Sequence, residues 1–198
     1  MDDASLQSPP PETGFLQIRR AARIIEAGGI VAYPTEAVYG LGCDPANSGA
    51  VREILRLKRR PATAGLILIA AELRELEGWI APSSRELRHL LNDDFAARGV
   101  TWVIRSGPLT PAWITGGRPT VAVRITGHPI AAALCRAAGM PIVSTSANHR
   151  GAKPARNARG VRWTFGTDID FILPGRTGPR QGPSEIRNAR TGAILRPG

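Results

Sequence analysis

The apolar residues of this chain arrive in runs too short to be anything but strands. They are Ile30 to Tyr33, Leu66 to Ala70, Thr101 to Arg105, Val121 to Ile125 and Ile142-Val143. Runs of four to eight residues bounded by turn formers read as buried strands, while helices need ten or more. Helical periodicity fills the intervals. From Phe15 to Ala27, Leu16, Ile18, Ala21, Ala22 and Ile25 fall near one face, and Gly28-Gly29 supplies the stop. Asn47 or Ser48 caps a second helix carrying Val51, Ile54, Leu55 and Lys58, which stops at Arg60-Pro61. Glu72 to Trp79 and Ser83 to Leu91 read as helices, and Pro129 suits the first turn of another that runs to Ala138 and ends at Gly139. Weak strands are expected at Phe171 to Leu173 and Ile194 to Arg196, and Thr35 to Pro45 reads as a glycine-containing loop. Strands alternating with helices define an α/β chain. The strand-and-loop character of the last third favours a mixed sheet. The 198 residues suffice for one domain, expected over residues 13–198, with residues 1–12 as an acidic, proline-rich arm.

Charge narrows the partners. Twenty-six Lys and Arg against sixteen Asp and Glu give +10, a balance that favours phosphate-bearing ligands, nucleotide or nucleic acid. Aromatic residues are only 5%, so stacking platforms are sparse. No apolar run approaches the ~20 residues needed to span a membrane, and the N-terminus lacks a signal peptide's basic start and apolar stretch. The expected location is the cytoplasm, without membrane partners. Cys43 and Cys135 are far apart and belong to no Cys/His cluster, and His89, His128 and His149 lack ligand spacing, so no metal-binding residues are expected. A Walker P-loop, a dinucleotide-binding glycine fingerprint and a G-x-S-x-G elbow are all missing.

Four polar clusters remain. The run Tyr33-Pro34-Thr35-Glu36-Ala37-Val38-Tyr39-Gly40-Leu41-Gly42 carries Thr35 past the end of a strand, where ligands gather in α/β sheets. Lys58-Arg59-Arg60 ends a helix, where cations either oppose the helix dipole or clamp an anion. Ser144-Thr145-Ser146-Ala147-Asn148 follows a buried strand with three hydroxyls and an amide that suit phosphate or ribose. The fourth is scattered. Arg124 ends a strand, Ser184 follows a Gly-Pro turn, Arg196 lies in the last strand, and Arg176 and Arg180 precede Ser184. Strand alternation puts Val121, Val123 and Ile125 on one face, and Ala122 with Arg124 on the other.

In order, AYPTEAVYGLGCDP, the K-x-R of Lys58 and Arg60, VAVRITGHP around Arg124, IVSTSAN ending at Asn148 and the tail PSEIRNARTGAILRPG resemble the YrdC/TsaC family of bacterial threonylcarbamoyl-AMP synthases, over about residues 16–198. The resemblance implies a twisted mixed α/β sheet flanked by helices, with a basic concave face. It implies an enzyme, a nucleotidyltransferase joining L-threonine, bicarbonate and ATP into threonylcarbamoyl-AMP with release of pyrophosphate. Mg²⁺ would accompany ATP without a dedicated protein cage. A tRNA threonylcarbamoyl transferase complex would act downstream, and the basic face would take tRNA or double-stranded RNA. By motif, Thr35, Arg124, Ser144 and Ser184 would hold threonine. Lys58, Arg60, Ser146, Asn148 and Arg196 would face ATP, with Lys58 and Arg60 as the catalytic pair.

The sequence departs from the family in one place. Ala96-Ala97-Arg98-Gly99 stands where many relatives carry W-P-G-P, although Thr101 is kept. Gly65-Leu66, where longer relatives have Asn-Pro-Leu, matches the short form, as does the end at Gly198. Two other readings compete. One is an RNA-binding protein of the same fold without synthase activity. The other is a carbamoyl-transfer module like that of hydrogenase maturation proteins. The intact K-x-R and S-x-N pairs favour the synthase, and the chain length disfavours the module.

Overall fold

The computed structural model describes residues 14–87 and 99–198. Helix α1 (Phe15–Glu26) leads into β1 (Val31–Pro34) and β2 (Tyr39–Gly42), then α2 (Ser48–Leu57), β3 (Ile67–Ala70) and β4 (Thr101–Arg105). The one-turn α3 (Ala112–Thr115), β5 (Thr120–Ile125), α4 (Pro129–Ala138), β6 (Ile142–Ser146) and α5 (Ala158–Phe165) follow. The short strands β7 (Phe171–Ile172), β8 (Ile186–Asn188) and β9 (Ile194–Arg196) complete the order.

These nine strands form one mixed sheet, in the order β7-β1-β2-β6-β3-β5-β4-β8-β9. Pairing is parallel at β1/β7, β3/β5 and β4/β8, and antiparallel at the other junctions. The expected mixed α/β sheet is what forms.

Strand alternation divides the core in two. Val31 and Tyr33 of β1, Ile69 of β3 and Ile142 of β6 pack with Ala21, Ala22 and Ile25 of α1 and Ala131, Leu134 and Cys135 of α4. Ala32, Leu68, Ala70, Val121, Val123 and Val143 face the other way, against Val51 and Ile54 of α2 and Val161 and Phe165 of α5. Cys43 and Cys135 therefore lie in opposite cores, both reduced. The α1/α4 pair covers only part of its face. Beyond it a row of register partners, Ser144, Ile67, Ala122 and Val103, crosses four strands and floors an open cleft.

Several expectations need correction. The loop expected at Thr35 to Pro45 contains β2, hidden in sequence because glycines at positions 40 and 42 lower strand propensity. Gly42 is needed where the Tyr33 ring packs on the hairpin, and at Gly40 a Cβ would be tight, 3.3 Å from Tyr33 Cζ. A Cβ on Gly42 would stand 2.7 Å from Tyr33 Cε1 and 2.7 Å from the Val143 carbonyl. The helix expected over Glu72 to Trp79 is a 3₁₀ turn, Leu73–Leu76. Glu72 is extended, Gly78 takes φ +76°, and Trp79 is drawn into the core. The β6 strand runs on through Ser146, so the first three residues of the polar cluster belong to the sheet and Ala147 and Asn148 follow it. Helix α5 and strand β8 had no apolar run strong enough to mark them. The N-terminal arm and Leu91 of the helix begun at Ser83 lie outside the described residues, as do positions 96–98 of the departing segment.

Overpacking a well-filled core costs about 1–3 kcal/mol. Gly42→Ala is expected to lose that much in urea unfolding, because a ring and a backbone carbonyl both block the new methyl group. An unchanged midpoint would show that the hairpin is looser than the Tyr33 contact implies.

Candidate active site

The Lys58-Arg59-Arg60 segment takes its shape from the way α2 ends. Arg60 N–H donates to Leu55 O at 2.9 Å and Arg59 N–H to Arg56 O at 3.0 Å, the two bonds of a Schellman motif. Arg59 occupies its left-handed position at φ 50°, where glycine is the usual residue, at a cost of roughly 1–2 kcal/mol. The turn sends Lys58 inward and Arg60 along the surface.

Lys58 is buried, and its ammonium donates to Asn148 O at 3.0 Å, to Asn148 Oδ1 at 3.2 Å, to Ser146 O and, at 3.5 Å, to Ser146 Oγ. Ser146 Oγ donates to Asn148 Oδ1 at 2.6 Å. The same loop ties back to the helix end, with Arg150 N–H on Lys58 O at 3.1 Å and His149 Nδ1 2.6 Å from Leu57 O. Lys58 is thus no mobile point charge. It holds the end of β6 against the end of α2, and neither Lys58 nor Asn148 lines the cleft.

The other seven candidates all line one cleft of about 720 Å³: Thr35, Arg60, Arg124, Ser144, Ser146, Ser184 and Arg196. Thr35 Oγ1 donates to Val38 O at 2.7 Å, closing the turn between β1 and β2. Ser144 rises from the β6 floor beside Tyr33, whose phenol pKa is pushed up by burial. Ser184 Oγ lies 2.8 Å from Thr101 Oγ1, and its carbonyl accepts from Arg196 at 2.7 Å. Arg60 donates to Gly65 O at 2.9 Å and Ala64 O at 3.3 Å.

Arg124 projects from β5 on the same face as Ala122, as strand alternation requires, and its side chain is only 11% exposed. Its guanidinium lies 3.5 Å from Glu36 Oε2. Glu36 Oε1 accepts from Thr126 Oγ1 at 2.7 Å and Gly127 N at 3.1 Å. Burial would raise the Glu36 pKa, but Arg124 and the Thr126 hydroxyl overrule it and hold the carboxyl below its usual value. Residues 36 and 124 are too far apart in sequence for spacing to reveal this pair.

Among the described residues, seven cations line the cleft (Arg60, Arg118, Arg124, Lys153, Arg156, Arg180 and Arg196) against a single carboxylate, Glu36. Their crowding is felt: burial, then Arg118, Arg150 and Arg196, lower the Arg60 pKa. Burial, then Arg124, lowers that of Arg196. Cations gathered against like charge in a concave, partly desolvated site attract a polyanion. Sequence reading missed Arg118, Lys153 and Arg156, which lie in segments without a strand or helix pattern to place them.

Comparison with known proteins agrees with this architecture. The Sua5/YciO/YrdC family model, described as telomere recombination, matches residues 23–198. The threonylcarbamoyl-AMP synthase of Halorhodospira halophila is 50% identical over 187 residues, which is 94% of this chain and 97% of that one. That of Nitrosococcus oceani is 48% identical over 180 residues, 91% of this chain and 97% of the relative. The crystal structure of P. abyssi Sua5 complexed with L-threonine superposes with a TM-score of 0.80 at 35% identity, covering 86% of this chain and half of that longer one. The chain belongs to the Sua5/YciO/YrdC family.

The buried ammonium gives a pH test. Burial, with Arg60 adding, lowers the Lys58 pKa from 10.5 to about 8. Between those values the unfolded chain binds more protons than the folded one, so this group's contribution to stability rises with pH. The stability difference between wild type and Lys58→Met, from urea unfolding, should climb from pH 8 to pH 10.5. A difference that stays flat or falls across that window contradicts the assignment.

Proposed function

We propose that the protein is a threonylcarbamoyl-AMP synthase, making L-threonylcarbamoyladenylate and pyrophosphate from L-threonine, bicarbonate and ATP. One observation carries the reading. A single cleft gathers Thr35, Arg124, Ser144 and Ser184 together with Arg60, Ser146 and Arg196. The names of the relatives and the threonine complex of P. abyssi Sua5 support it.

In this reading Arg124 takes the carboxylate of threonine, since a planar guanidinium pairs with a carboxylate through two parallel hydrogen bonds. Glu36, 3.5 Å away, balances the charge of Arg124. Thr35, Ser144 and Ser184 supply hydroxyls around the amino acid. Arg60 and Arg196 face the phosphates of ATP, with the Ser146 hydroxyl beside them. Lys58 and Asn148 act one step back, fixing Ser146, so Arg60 is the catalytic cation that meets the nucleotide.

The threonine nitrogen attacks carbon dioxide, losing a proton to solvent, or bicarbonate, with loss of water, to give a carbamate. A carbamate oxygen then attacks the α-phosphorus and the α–β bond breaks to release pyrophosphate. Such a transfer depends on alignment and on positive charge around the departing phosphates, and it needs no covalent nucleophile. Mg²⁺ would arrive on the phosphates. Glu36 is already engaged by Arg124, Thr126 and Gly127, and no cluster of three or more His, Cys, Asp or Glu is found among the described residues. No helix of the described residues is long and apolar enough to cross a membrane. We assign the enzyme to the cytoplasm, with a tRNA threonylcarbamoyl transferase complex as the consumer of its product.

Calorimetric titration separates the two halves of the cleft. Arg124→Lys should weaken threonine binding by about tenfold or more while ATP affinity holds, since lysine cannot reproduce the two-pronged pairing. Ser146→Ala should show the opposite preference. If Arg124→Lys lost ATP affinity and kept threonine, the assignment would be reversed.

A further inference from the structure

Between His149 and Thr167 the sequence contains no acidic residue, and a cation stands at every third position: Arg150, Lys153, Arg156, Arg159 and Arg162, followed at once by Trp163. All six side chains are exposed, and Trp163 is 92% exposed, more than any other large apolar residue described. Lys153 and Arg156 line the cleft, but the packing of α5 gives no reason for Arg159, Arg162 or Trp163. Helix α5 packs through Val161 and Phe165, and Trp163 adds nothing to that contact. Arg159 stands in the first turn of α5, where the helix dipole disfavours a cation and no acidic residue answers it. None of the five cations forms an ion pair among the described residues.

Positions i and i+4 share a helix face, so Arg159 and Trp163 stand side by side, with Arg162 flanking them. At the other end of the series, Lys153 and Arg156 line the mouth of the cleft. A row of cations without acidic partners, ending in an open indole, matches a strand that carries phosphates and exposed base faces together. Cations alone would suit a duplex equally, whereas an open tryptophan stacks only on a base that is free of its helix.

We propose that the exposed face of α5, with the cationic segment before it, is a docking surface for an unpaired stretch of RNA. Arg159 and Arg162 contact phosphates, and Trp163 stacks on a base. The surface leads toward the cleft through Arg156 and Lys153. The choice of RNA among polyanions rests on the synthase reading, whose product is destined for tRNA.

The test is fluorescence anisotropy with a short labelled single-stranded RNA, an RNA duplex of the same length and an acidic peptide, at several salt concentrations. Trp163→Ala should weaken single-stranded RNA about tenfold and leave duplex binding unchanged. The double variant Arg159→Ala/Arg162→Ala should lower the slope of log affinity against log salt by about 1.4, roughly 0.7 for each phosphate that the variant no longer neutralises. Pyrophosphate release should stay at the wild-type rate in both, because none of these residues lines the cleft. Wild-type affinity for single-stranded RNA in Trp163→Ala would overturn the proposal. So would equal weakening of single strand and duplex, or an unchanged salt slope in the arginine variant. An acidic peptide bound as tightly as RNA would make the surface a protein dock, and that too overturns it. If the RNA results are as stated but the wild-type protein makes no adenylate, the reading of the cleft fails and the RNA surface stands.

Discussion

One buried ammonium holds the cleft together. Lys58 donates to the carbonyls of Ser146 and Asn148 and to the Asn148 side chain, three oxygens from one short stretch at the end of β6. A buried charge of this kind survives only when its protons all find partners. Once satisfied, it fixes the end of α2 to the end of β6. That fixed junction sets where the Ser146 hydroxyl points and where the Schellman turn sends Arg60. The residue that looks most like a mobile phosphate ligand in sequence is thus a strut in the structure, and its neighbour two positions on reaches the cleft.

The rest of the site follows from incomplete coverage. Helices α1 and α4 bury one part of their sheet face, leaving Ser144, Ile67 and Ala122 to line the cleft beyond it. Arg124 stands at the border between covered and open sheet. Its charge is balanced there by Glu36, which comes from a different strand end and is itself anchored by Thr126 and Gly127. Pairing keeps a nearly buried guanidinium in place at the cleft, while Arg60 and Arg196 each feel neighbouring cations.

What the sequence reveals divides along physical lines. Strands β3, β4 and β5 and helices α1, α2 and α4 were legible because apolar periodicity and capping residues mark them. Pro129 and Gly139 bracket α4 as expected. The alternation that puts Arg124 and Ala122 opposite Val121 and Val123 was legible too. Strand β2 was not, since its glycines serve the packing of Tyr33 on Gly42, a contact between different strands. The polar half of β6 was hidden for a related reason, as sheet pairing with β2 and β3 overrides the loop-like composition of Ser144 to Ser146. Motif order singled out the residues that meet in the cleft. The burial of Lys58 and the Glu36–Arg124 pair, by contrast, depend on segments roughly ninety residues apart and on no local pattern.

The central claim is that one cleft holds threonine and ATP together and joins them through a carbamate. The most direct measurement is pyrophosphate release by the purified protein, with mass spectrometry of the product, on omitting each substrate in turn. The account predicts release only when threonine, bicarbonate and ATP are all present, and a product with the mass of threonylcarbamoyladenylate. Pyrophosphate release that persists without threonine or without bicarbonate, or a product lacking the carbamoyl group, would contradict it.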